Sequence, residues 1–236
     1  MARLLSTIKL DAKVQYRHKF YHISIGLAVL LGIAVRQLTD PPLAAILVPV
    51  LLLLGVGGTS FLYIAGLIVF ERDQHSLDAI FVSPLRLTEY LNAKVSTLTL
   101  LVLIEAVVLV LVSQGPTSVA WVPLLVGMAL LGAMFTLAGA ILIVRFATIT
   151  DFLMPALLVA LPLQSPALYF AGISDNPLWL ISPTSAPTML IWGAWHRLEA
   201  WQVFYALAYS TIALAIGYWW ALGAFNKHVM MLRERS

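Results

Sequence analysis

Six stretches of this chain are apolar over the roughly 20 residues that a helix needs to cross a hydrocarbon core of about 30 Å. They run approximately over residues 20–38, 43–70, 95–113, 119–144, 152–174 and 200–223. The second is long enough to require a tilt or a start in the membrane interface. Composition agrees with a lipid solvent, because a 236-residue chain that is 61% hydrophobic and 11% charged has too few charged side chains to cover the surface of a soluble domain. The predicted fold is an all-α polytopic membrane protein with six transmembrane helices, forming one domain over residues 1–236.

The formal charge of +3 does not point to nucleic acid, because the basic residues form no patch interleaved with aromatics. They sit instead between the apolar runs. If the N-terminus is cytoplasmic, Arg3, Lys9, Lys13, Arg17, Lys19, Arg72, Arg86, Lys94, Arg145, Lys227, Arg233 and Arg235 all fall inside, and only Arg36 and Arg197 fall outside. This bias predicts both termini in the cytoplasm of a cell (inner) membrane protein. The first twenty residues carry Lys9, Asp11, Lys13, Arg17 and Lys19 and no apolar core of a leader, so the first span is expected to act as the insertion signal. Cysteine is absent, which removes disulfides and thiol chemistry.

Before the first span, Leu4, Leu5, Ile8, Ala12 and Tyr16 recur at helical spacing, with Lys9, Lys13 and Arg17 on the neighbouring arc. That pattern predicts an amphipathic interfacial helix over residues 1–19. In the fifth span, Pro155, Pro162 and Pro166, with Gln164 and Ser165 between the last two, predict a kinked or broken helix. Residues 175–199 are too polar and proline-rich for a clean span, and their apolar bulk predicts short re-entrant or interfacial helices on the outer side. Trp179, Trp192, Trp195 and Trp201 fit an outer aromatic belt, and Trp219 and Trp220 an inner one.

Several chemistries are missing. No G-x-x-x-x-G-K-[ST] run occurs, and the closest one, Gly55 to Ser60, lacks the lysine, so the chain is not expected to hydrolyse ATP by itself. No zinc-protease, nucleophile-elbow or dinucleotide motif is present, and the histidines lack metal spacing. His18 and His22 read as a surface pair. Gly132, Thr136 and Ala140 read as a helix-packing stripe.

The segment between the second and third spans, residues 71–94, carries the most information. It is too long for a tight turn, and Leu77, Ile80, Phe81 and Pro84 recur at helical spacing, with Asp73 or Ser76 available as a cap. A short amphipathic helix across the cytoplasmic mouth of the bundle is expected. This segment resembles the intracellular loop of type-2 ATP-binding-cassette (ABC) exporter permeases, whose pattern runs approximately E-R-E-x-G-T-L-E-x-L, then S-P-L, then E-x-L-x-G-K. Glu71, Arg72, Leu77, Ser83, Pro84, Leu85, Glu89, Leu91 and Lys94 match it, Asp73, Ser76 and Asp78 are conservative replacements, and His75 and Ala93 stand where glycine is common. Thr150-Asp151-Phe152 and Ser182-Pro183-Thr184 are similar to permeases of the drug-export type.

The resemblance implies a permease that exports a hydrophobic or amphipathic, drug-like or lipid-like compound. It implies a separate ABC ATPase subunit that carries the ATP and magnesium, and a second permease copy, identical or paralogous. Glu71, Arg72, Asp73, Leu77, Asp78, Ile80, Phe81, Pro84 and Arg86 would form the ATPase-coupling surface, and the chain itself would hold no cofactor or metal. Glu105 lies about 16 Å past Lys94 along a helix, near the midplane, where an acid is a candidate for the translocation path; Gln164 is a second. Two other readings compete. One is a haem-export permease component, which would need an accessory haem-handling partner. The other is a polytopic enzyme acting on lipid through Glu105 and Asp151, although no second acid or histidine falls at helical spacing from Glu105.

Overall fold

A computed structural model of the protein describes residues 2–74, 86–117 and 119–233, and among them every regular element is helical. Helix α1 spans Ala2–Arg17 and α2 spans Phe20–Leu38. Between them Lys19 takes a φ of 62°, the left-handed conformation that ends one helix and redirects the chain into the next. Helix α3 (Pro41–Leu51) opens on two prolines, a π-helical segment follows at Leu52–Gly57, and α4 covers Gly58–Asp73. The three are continuous as a 33-residue apolar stretch. Pro49 lies inside α3, where it offers no N–H to the preceding turn, and the ladder widens to the π form just beyond it.

Helix α5 runs over Leu87–Ser113, well before the start near residue 95 that hydropathy indicates. Its polar first turns escape a hydropathy scan, yet a capping arrangement fixes them: the Arg86 backbone N–H donates to Glu89 Oε2 at 3.0 Å, satisfying a donor that the helix leaves free. Helix α6 spans Trp121–Ile143, and α7 spans Ile149–Gln164 with Thr148 as its N-cap. The fifth span, expected to be kinked or broken, is broken after Gln164. Pro155 and Pro162 lie within α7, the helix ends at Gln164, and the five-residue α8 (Pro166–Phe170) continues the span. A 3₁₀ turn at Pro177–Ile181, the eight-residue α9 (Ser185–Trp192) and the long α10 (Ala200–Arg233) complete the chain.

Among the described residues, six continuous helical stretches are long and apolar enough to cross a membrane. Helix α6 is central and packs against α4, α5, α7, α9 and α10. The approach to α4 depends on Gly139, since a Cβ there would stand 2.5 Å from the Phe61 carbonyl oxygen; small residues at such crossings let membrane helices come together. Phe61 packs on Phe135 and Phe152 at ring distances of 6.4 and 5.7 Å. In the region 175–199, α9 buries Ser185 to Thr188 with Leu190 and Ile191, and it is seated against α6 and α10. Gly132, Thr136 and Ala140 are all buried in the interior, with Thr136 donating to the Gly132 carbonyl at 2.8 Å.

Candidate functional site

The ends of α4 and α5 that flank the loop are joined by a buried ionic cluster. Lys94, about two turns into α5, is fully buried, and a buried ammonium is stable only with counter-charges and filled hydrogen bonds. It finds two. Lys94 Nζ contacts Asp11 Oδ1 of α1 at 2.8 Å and pairs with Glu71 Oε1 at the end of α4. Tyr90, one turn earlier on α5, donates its hydroxyl to Glu71 Oε2 at 2.6 Å, and its ring lies 5.1 Å from Lys94 Nζ. The same ring meets Phe225 of α10 edge-on at 6.0 Å. One turn beyond Asp11, Gln15 donates to Thr97 Oγ1 at 2.7 Å. Burial pushes the Asp11 carboxyl above the ordinary carboxylate value, against the opposite pull of Lys94.

Arg72 is turned the other way. Its Nη1 donates to the Phe146 carbonyl at 2.5 Å and to the Ala147 carbonyl at 3.3 Å, both in the turn between α6 and α7, outside either helix. Glu71 and Arg72 are adjacent in sequence, yet together they attach the end of α4 to α1, α5 and the α6–α7 turn. Asp73 and Arg86, by contrast, are exposed at the two mouths of the loop. The remaining expected coupling residues, Leu77, Asp78, Ile80, Phe81 and Pro84, lie outside the described residues.

The two path candidates converge on the π segment without touching each other. Glu105 is buried in α5, with Thr59 Oγ1 at 2.9 Å from its Oε2. That hydroxyl is also 2.7 Å from the Val56 carbonyl, and one hydrogen serves only one of the two at a time. Glu105 Oε1 has no hydrogen-bond partner among the described residues, and the carboxyl borders a small cavity with Ser24, Gly55 and Thr59. From the opposite side, Gln164 Nε2 of α7 donates to the Leu54 carbonyl at 3.3 Å. A π segment leaves carbonyls poorly satisfied, and polar side chains from α5 and α7 meet it here.

Asp151 accepts the Thr148 hydroxyl at 2.8 Å and donates its own N–H to Thr148 Oγ1 at 3.2 Å. It is committed to the start of α7, as an acid in a first helical turn commonly is. His18 stacks on Phe70 at 4.8 Å, and His22 tilts against Tyr16 at 5.1 Å.

Asp11, Gln15 and Tyr90 are members of the cluster that periodicity and motif spacing do not pick out. The signal that finds them is Lys94 itself, a charge at the edge of an apolar helix that has to be matched by acids from other elements. The apolar arc of α1 is real, but Leu5 and Tyr16 lie exposed on it, while Asp11 and Gln15 form the face turned to α5.

A six-span helical bundle with short helices before the last span, and with charged residues gathered at the mouth of one loop, has the form of a transport permease. The chain belongs to the fluoroquinolones export permease protein family, whose family model matches residues 2–233, and it is thus a type-2 ABC permease of the drug-export kind. Its relatives include the fluoroquinolones export permease proteins of two strains of Mycobacterium tuberculosis, CDC 1551 and H37Rv. Each is 30% identical to it over 218 residues, covering 91% of both chains.

Proposed function

We propose that the chain is the membrane subunit of an ATP-driven exporter, in which a separate ABC ATPase binds ATP and magnesium and drives two permease copies. Both termini are cytoplasmic in this reading, in a cell (inner) membrane, and the cargo is a hydrophobic or amphipathic drug. Fluoroquinolones are the first compounds to test, because the relatives are named for them.

The observation that carries the reading is the Asp11–Lys94–Glu71 cluster. It ties both ends of the loop to α1, so a push on the loop moves α1, α4 and α5 as one body. Arg72 passes the same displacement to the α6–α7 turn, and so to the helix that carries Gln164. Coupling of this kind works only if the ATPase engages the two transport states with different free energies. Glu105 and the carbonyls of the π segment supply the polar groups that a drug would meet within an otherwise apolar bundle.

The test is the double substitution Leu77→Ala, Phe81→Ala in the full complex. Truncated interface anchors typically lose about 2 kcal/mol or more, so ATPase co-purification and drug-stimulated ATP turnover should collapse while membrane insertion is kept. Full association and full ATP-dependent export would remove the coupling role from this loop. Glu105→Gln, which keeps shape and removes the ionisable carboxyl, should preserve the complex and alter fluoroquinolone efflux; unchanged transport would take Glu105 off the path.

A further inference from the structure

A groove of ≈ 510 Å³ opens between α6, α7 and α10, and none of its lining belongs to the ionic cluster or the π segment. Its walls are apolar, with Leu137 and Ile141 from α6 facing Ile212 and Ile216 from α10. One end holds Arg145 and Trp220. Arg145 is exposed, and its guanidinium has no hydrogen-bond or ionic partner among the described residues. Met134, Pro183 and Tyr209 line it toward the other end.

The length of the groove matches one half of a bilayer. Eleven residues separate Met134 from Arg145, and eleven separate Tyr209 from Trp220, about 16 Å at 1.5 Å per residue against a core of about 30 Å. The Arg145 end is level with the ionic cluster, since Arg72 reaches the carbonyl of the next residue, Phe146. A cation at the interface with no partner among the described residues, an aromatic ring at the same end and a leaflet-deep apolar trough below it are the three parts needed to hold an anionic amphiphile.

We propose that this groove binds one acidic phospholipid of the surrounding leaflet, its phosphate at Arg145 and one acyl chain along α6 and α10. Apolar contact alone would accept any lipid chain, and the free guanidinium makes the site selective for an anionic headgroup. Gly217 offers a steric control. It lines the groove, and a Cβ there would meet only Leu137, at 3.7 and 4.0 Å, so a larger side chain can enter only by occupying the trough.

The experiment is native mass spectrometry of the full chain in mild detergent, titrated with phosphatidylglycerol or with phosphatidylcholine of the same acyl chains. Wild type should retain one phosphatidylglycerol in preference to phosphatidylcholine. Arg145→Gln should lower the phosphatidylglycerol affinity about fivefold, the worth of one cation at an anionic surface, and lower that of phosphatidylcholine, whose phosphate is balanced by its own ammonium, much less. Arg145→Lys should keep most of the preference, and Gly217→Leu should reduce both lipids. Circular dichroism and gel filtration establish that the variants are folded before they are compared. Equal retention of the two lipids by wild type, or undiminished phosphatidylglycerol in both Arg145→Gln and Gly217→Leu, would overturn the proposal. If Gly217→Leu instead lost fluoroquinolone binding or changed the oligomeric state with lipid retention intact, the groove would belong to substrate or to a second copy.

Discussion

Where α1, α4 and α5 meet, a buried ammonium is held between a buried carboxylate and a partly buried one, whereas α7 and α10 turn large apolar side chains outward. Lys94 is 0% exposed, while Met154 on α7 and Phe204 on α10 are each 75% exposed. The first region depends on specific partners, because a charge in a medium of low dielectric has no substitute for a missing counter-charge. The second depends on its surroundings being apolar, and any lipid chain or apolar protein face satisfies that requirement equally. The ionic junction thus fixes which helices meet, whereas the outer pair leaves its cover unspecified.

The comparison breaks most sharply at Lys94. Lys94→Met leaves Asp11 and Glu71 facing each other without the ammonium, and removal of one partner from a buried pair costs on the order of 3–5 kcal/mol. The thermal midpoint of the purified chain should fall accordingly; an unchanged midpoint would mean the cluster is not buried as a unit. Next comes the central crossing, where Gly139→Ala forces a methyl against the Phe61 carbonyl. Overpacking of this kind costs about 1–3 kcal/mol, read in the same melt.

A finer probe uses pH at Asp11. Its folded carboxyl is raised above 3.8 by burial, so the folded state holds the proton more tightly than the unfolded one. The stabilisation this gives is complete below the unfolded value and is lost as pH rises through the folded one. Asp11→Asn mimics the protonated acid and should remove that part of the slope, so the variant gains on wild type as pH rises. A constant difference across the range would refute the assignment. The smallest effect is expected on the outer pair. Phe204→Ala should change stability by no more than about 0.5 kcal/mol, as substitutions away from packed contacts do, and a loss like that of Gly139→Ala would reveal a contact that covers α10.

The sequence determined by itself what one-dimensional physics controls. Six apolar runs and prolines in the fifth span lead to the helices observed, because hydrocarbon selects length and apolarity without regard to partners. The ends of the spans were less legible: α5 begins at Leu87 because Arg86 and Glu89 cap it, and a hydropathy window averages such polar turns away. Tertiary structure alone decided the pairings. Asp11 and Lys94 lie 83 positions apart, and no periodicity within α1 distinguishes the acid that docks from the lysines that stay exposed beside it. Likewise, only packing brings Glu105 of α5 and Gln164 of α7 to one π segment, because an unsatisfied carbonyl or a buried charge accepts a partner from any helix that geometry places within about 3 Å.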